Sequence, residues 1–107
     1  MTPFRRGDLV LLAFPFSSGA GFKQRPALVI LDSSDEDVLV ARVTTQPYDA
    51  RFDVTIRGWQ TAGLLAPSVV RVHKIAAIDK SLVRRKLGRL SAADWAAVRQ
   101  KMRRMLE

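Results

Sequence analysis

Residues 67–81 read PSVVRVHKIAAIDKS, and the rest of the chain is organised around them. Positions 69–78 form a β-branched apolar run that carries Arg71, His73 and Lys74. Side chains alternate across a strand, so Arg71 and His73 share one face while Val70 and Val72 share the other. His73 is the only histidine in the chain. A cation beside a titratable imidazole on a rigid strand suits chemistry at a phosphate. The same pair also suits an ordinary solvated strand face, and the strand alone leaves both readings open.

Upstream of this run the chain reads as four further strands. Positions 4–8 lead in, with Gly7-Asp8 as a turn, and 9–14 is an almost wholly apolar strand. Such a run implies burial on both faces or a place at the heart of a small barrel. Residues 17–23, SSGAGFK, form a flexible loop rich in glycine and serine. Arg25-Pro26 opens a second strand at 27–31, with the proline at a strand start, where it is tolerated. An acidic turn, DSSDED at 32–37, leads into a third strand at 38–45, which Pro47 breaks. The fourth strand, 52–56, alternates Phe52, Val54 and Ile56 against Asp53 and Thr55. The connection at 59–67 has room for a helical turn around 60–64.

Downstream, 81–87 is expected to form a short helical turn capped by Ser81 and closed by Gly88. Ser91 begins the one clear helix, and Asp94 three residues on completes a capping-box pattern. Trp95, Val98, Met102, Met105 and Leu106 follow at helical spacing as the buried stripe. Short strands separated by turn signals and followed by one helix indicate a small antiparallel barrel or rolled sheet, with the helix packed on it.

At 107 residues the chain is expected to form one domain, and 48% hydrophobic residues supply a modest core. No apolar run approaches the ~20 residues of a membrane span. The N-terminal MTPFRRGD lacks the long apolar stretch of a signal peptide. The chain has no cysteine, which excludes a disulfide framework and a thiolate metal site. One histidine argues against zinc. No cofactor is expected, and the composition is compatible with the cytoplasm. The net charge of +8 implies attraction to polyanions, with nucleic acid ahead of an anionic membrane or an acidic protein. Its densest patch is Arg84, Arg85, Lys86 and Arg89.

Several stretches, in order, resemble the PemK/MazF family of toxins from bacterial toxin–antitoxin systems. They are Arg6-Gly7-Asp8-Leu9-Val10, Phe14-Pro15-Phe16, and a Gly-rich loop into Arg25-Pro26-Ala27-Leu28-Val29. Val40-Ala41-Arg42-Val43-Thr44, Trp59, Ala62-Gly63-Leu64, Pro67-Ser68-Val69-Val70-Arg71 and Ile78-Asp79 continue the set. Each dipeptide is common alone; the ordered set covers nearly the whole chain. The resemblance implies a mainly β (α+β) fold, an SH3-like barrel of about five to seven short strands with a C-terminal α-helix. It also implies a homodimer that cuts single-stranded RNA at short sequences without a metal. The implied partner is a cognate antitoxin whose acidic, partly disordered tail covers the RNA groove.

Metal-independent RNA cleavage uses the ribose 2′-hydroxyl as nucleophile. It needs a base, an acid for the leaving 5′-oxygen, and a cation for the charge developing on phosphorus. The expected products are a 2′,3′-cyclic phosphate and a 5′-hydroxyl. By resemblance, Arg25 is the catalytic arginine that binds the scissile phosphate, a task suited to a planar guanidinium. Thr44 matches a threonine of the MazF branch that hydrogen-bonds the phosphate or steers the 2′-hydroxyl; Thr45 beside it leaves the register open. Arg71 matches a catalytic arginine of the PemK branch, and His73 falls where that branch carries an aspartate. Histidine serves as base or acid near neutral pH; a contact to RNA and a partly buried structural histidine are the other readings. The loop before Arg25 departs from relatives that carry histidine or glutamate there. Lys23, Gln24 and Lys74 are RNA-binding candidates, and Phe22 and Tyr48 are candidates for stacking on bases. Trp59 and Trp95 read as core. Two rival readings are a gyrase-poisoning toxin, as in the structurally related CcdB toxins, and a non-catalytic nucleic-acid-binding barrel.

Overall fold

Positions 9–13 are apolar without interruption because the strand they form is covered on both faces. Leu9 enters one buried cluster with Leu28, Val43 and Val70, while Val10 and Leu12 enter a second with Ala27, Val29 and Val40. In the computed structural model the described residues are 4–15 and 22–107, with only the backbone described at 14, 15 and 22. The elements are β1 (Asp8–Pro15), β2 (Phe22–Leu31), β3 (Asp37–Thr44), β4 (Asp53–Ile56), β5 (Ser68–Asp79), a 3-10 turn (Lys80–Leu82), β6 (Val83–Arg89) and α1 (Ala92–Met105). The strands form one antiparallel sheet in the order β4-β5-β3-β2-β1-β6. The expected mainly β fold with a C-terminal helix is therefore what the chain adopts.

The stretch 81–87 departs from expectation. It is strand, not helical turn, beyond the 3-10 residues Lys80–Leu82. Val83-Arg-Arg-Lys-Leu carries no alternation that marks a strand; its conformation is set by pairing with β1, through Leu12–Val83, Leu11–Arg85 and Leu9–Gly88. Strand β2 also begins earlier than its apolar run, at Phe22. Pro26 is tolerated inside it because β2 pairs with β3 only from Ala27 onward, so no ladder bond on that side needs a proline N–H.

The helix covers the face of the sheet that carries the first cluster. Val98 is fully buried there, with Trp95, Met102 and Met105 packed around it. Leu106, expected in this stripe, is 79% exposed, because the helix ends at Met105 and the chain turns away. Half of the expected capping box forms: the Ser91 hydroxyl accepts from the Asp94 N–H at 3.1 Å. The Asp94 carboxylate does not return to Ser91. It accepts instead from the N–H groups of Arg57 (3.1 Å) and Gly58 (2.9 Å) at the end of β4. Asp94 is 3% exposed, so this one side chain joins the helix start to the sheet edge. Asp94→Ala strands two backbone donors and is expected to cost about 2 kcal/mol, measured by urea unfolding. An unchanged midpoint would contradict that role. Among the described residues, no helix is long and apolar enough to cross a membrane.

Candidate nucleic-acid interface

The register of the sheet decides which polar residues meet. Val10 pairs with Ala27, Ala27 with Arg42, Arg42 with Arg71, and Arg71 with Asp53, giving one row across five strands. Directly paired residues lie on the same face. Val10 and Ala27 belong to the second cluster, so Arg42, Arg71 and Asp53 share that face, opposite the one the helix packs on. Stepping two residues from Ala27 along β2 reaches Arg25, and two from Arg42 along β3 reaches Thr44. A period of two keeps both on the same face. The sheet thus gathers Arg25, Thr44 and Arg71, drawn from three strands, on one side. It adds Arg42, which the sequence offered only as part of a motif.

Their environments differ. Arg25, Lys23, Gln24, Arg42 and Lys74 are exposed, and Thr44 is half-buried. The Thr44 oxygen accepts from the Gln46 N–H at 3.2 Å, which leaves the hydroxyl proton for another acceptor. Arg71 is far less open, with a side chain 12% exposed. Its guanidinium lies 4.3 Å from the centroid of the Tyr48 ring, and its Nε lies 3.5 Å from Asp53 Oδ1. At that length the pair is an ion contact, and both atoms are buried without a hydrogen-bond partner. Tyr48 itself is 58% exposed. The side chain of Phe22 and the glycines of the preceding loop lie outside the described residues.

His73 sits in an irregularity of β5. The register with β3 steps from Arg42–Arg71 to Ala41–Ile75, which leaves Val72, His73 and Lys74 as an insertion. Val72 turns instead toward the 48–53 segment, donating its N–H to the Phe52 carbonyl at 2.9 Å. The His73 ring lies on Phe52, with centroids 4.4 Å apart and a 30° tilt, and its Nδ1 is buried without a partner. Val70 and Val72 are fully buried on the helix-covered side, so the expected division of β5 into two faces holds through the insertion.

The segment that Arg71 and His73 face is built by two aspartates. Asp53 Oδ2 accepts from the N–H groups of Tyr48 (2.7 Å) and Asp49 (2.9 Å). Burial pushes the Asp53 carboxyl up, but these two donors and the charge of Arg71 outweigh it and hold the group below its ordinary value. Asp49 closes a turn onto the Arg51 N–H at 3.0 Å and pairs with its guanidinium at 2.9 Å, which lowers its pKa from 3.8 to about 2. Asp32, far along the sheet, is also held low. Lys80 lies 2.7 Å from its carboxylate, and the Ser34 and Phe4 N–H groups add to that against the opposing effect of burial.

These depressed carboxyls bind fewer protons folded than unfolded at acid pH. Their stabilisation is complete above the ordinary carboxylate range and is lost as pH falls through the folded values. Urea unfolding is expected to show stability falling steadily from about pH 5 to about pH 2. A flat profile over that window would contradict the assignment.

An open cleft of about 310 Å³ runs between β4 and α1, lined in part by Asp53, Thr55, Arg57, Gln100, Lys101 and Arg104. Among the described residues, no three His, Cys, Asp or Glu side chains converge as a metal site would require. The expected patch at Arg84, Arg85, Lys86 and Arg89 lies along β6. There Arg89 and Lys86 reach the buried Asp8 carboxylate at 2.9 and 3.3 Å, so these two cations of the patch serve the fold.

A family model described as PemK-like, MazF-like toxin of type II toxin–antitoxin system matches residues 5–106. A chain of the MazE–MazF complex (Form-III) from Deinococcus radiodurans superposes with a TM-score of 0.79 at 25% identity, covering 98% of this chain and 97% of that one. MazF (Form-I) from the same organism gives 0.75 at 26% identity, over 99% and 98%. An endoribonuclease from Mycobacterial species, solved in complex with its cognate antitoxin, gives 0.73 over 94% and 92%; at 18% identity that likeness is one of fold. No curated protein matches the sequence.

Proposed function

The chain belongs to the PemK-like, MazF-like family of toxins of type II toxin–antitoxin systems, and from that premise we propose that it is a sequence-specific endoribonuclease acting on single-stranded RNA without a metal ion. The observation that carries the reading is the convergence of Arg25, Arg42, Thr44 and Arg71 on one face of the sheet. Three guanidinium groups and a hydroxyl with its proton free make a phosphate-binding surface. Guanidinium groups match phosphate geometry and keep their charge at any physiological pH.

In this reading the ribose 2′-hydroxyl attacks the adjacent phosphorus and the 5′-oxygen leaves. Arg25, exposed like Arg42, binds the non-bridging oxygens and stabilises their developing charge. Thr44 donates to the same phosphate. Arg71, held at the back of the surface, adds a second cation. His73, whose ring lies on Phe52, is the group that takes the 2′-hydroxyl proton and returns it to the leaving 5′-oxygen. Tyr48 presents an exposed ring for a base to stack on, and Lys23, two residues before Arg25 on the same face, is placed for a flanking phosphate, whereas Gln24 alternates to the other face. The net charge of +8 serves RNA and an acidic antitoxin tail alike, so the two compete for one surface. The functional unit is a homodimer in the cytoplasm.

The test is direct. Purified protein incubated with a long RNA in EDTA should release discrete fragments. RNA that stays intact at large protein excess would overturn the reading.

A further inference from the structure

We propose that Asp53 is a positioning residue that fixes the Arg71 guanidinium and the Tyr48 ring as one unit, an inference that rests on the ribonuclease reading above. Three observations carry it. First, the Asp53 side chain is 5% exposed, so its charge is retained inside the fold rather than left at the surface. Second, it is divided between two tasks. Oδ2 accepts from the Tyr48 and Asp49 N–H groups, while Oδ1 faces Arg71 Nε at 3.5 Å. Third, the ring of Tyr48, the residue whose backbone N–H Asp53 anchors, covers the guanidinium that faces Oδ1, 4.3 Å away.

A buried carboxylate needs a structural or functional return for its desolvation. Two backbone hydrogen bonds would be met as well by an asparagine, which would leave no buried charge. The charge is required by what lies on the other oxygen, Arg71. The guanidinium has its Nε edge against the carboxylate and one face against Tyr48, so its orientation is set before any phosphate arrives. The 12% of the Arg71 side chain that stays exposed is the part left to meet one. Pre-orientation of this kind lowers the cost of assembling the transition-state contacts. The open arginines Arg25 and Arg42 have no such brace among the described residues.

The experiment compares wild type with Asp53→Asn, which keeps shape and acceptor but removes charge. Nitrogen relaxation of the Arg71 Nε–Hε group reads its mobility, and single-turnover cleavage in EDTA reads its use. In wild type the group should be rigid against the exposed Arg42. In Asp53→Asn it should become mobile while the single-turnover rate falls about tenfold to hundredfold and apparent RNA affinity changes little. Unchanged Arg71 mobility in the variant overturns the proposal whatever the rate does. If the variant does not fold, the wild-type measurement decides, because an Arg71 as mobile as Arg42 overturns it equally. Failure of wild type to cut RNA would refute the ribonuclease reading, and the mobility comparison would still judge the brace.

Discussion

Gly88→Ala is expected to prevent folding rather than weaken it. A Cβ at Gly88 would sit 2.2 Å from the Ala62 carbonyl oxygen and 2.6 Å from its carbon. Both are backbone atoms, so no side-chain rotation relieves the clash. The reciprocal contact is as tight, since a Cβ at Gly63 would lie 2.0 Å from the Leu87 carbonyl oxygen. The turn at 62–63 therefore rests backbone to backbone on β6. Neither side has room to retreat. Gly88 is paired with Leu9 on β1, and Ala62 and Leu64 are buried in the main core. Overpacking of ordinary cores costs about 1–3 kcal/mol; with backbone on both sides the cost should exceed about 3 kcal/mol, a large part of a small domain's stability. Gly63→Ala adds a backbone penalty, because its φ of +88° lies in the region that favours glycine. Circular dichroism melts are expected to show no cooperative transition for either variant. A melt within a few degrees of wild type would mean that the two segments separate easily.

Arg25→Ala carries the largest expected effect on activity. The residue is exposed, and β2 continues past it on both sides, so its loss should leave stability within about 0.5 kcal/mol of wild type. If it binds the scissile phosphate, cleavage should fall by about 10²–10³, the usual cost of one transition-state donor. The discriminating readout is the pair of numbers together. A cleavage rate near wild type in a folded Arg25→Ala variant would remove Arg25 from the chemistry and shift the burden to Arg42 and Arg71.

What could be read from the sequence followed from local physics. The unbroken apolar run at 9–13, the spacing of Trp95, Val98, Met102 and Met105, and the Ser91 cap each express a local rule, and each is realised. The strand at 83–89 obeys no local rule; it exists because β1 offers it an edge. The same division holds at the interface. That Arg71 and His73 share one face followed from alternation in β5. That Asp53 braces Arg71 depends on the pairing of β4 with β5, which no spacing in the sequence fixes. Two signals were nonetheless present: an aspartate alternating with Val54 and Ile56 on a short strand, and an arginine alternating with Val40 on another. Asp94 shows the converse, a familiar local pattern whose side chain is taken by a distant partner.

The central claim is that a face of arginines and a threonine directs a ribose 2′-hydroxyl at phosphorus. The ends of the cleaved RNA test it most directly. A defined oligonucleotide cut by the protein in EDTA should yield 5′ fragments ending in a 2′,3′-cyclic phosphate and 3′ fragments beginning with a 5′-hydroxyl, resolved by mass spectrometry. Fragments beginning with a 5′-phosphate would mean that water attacks instead, and would contradict the account.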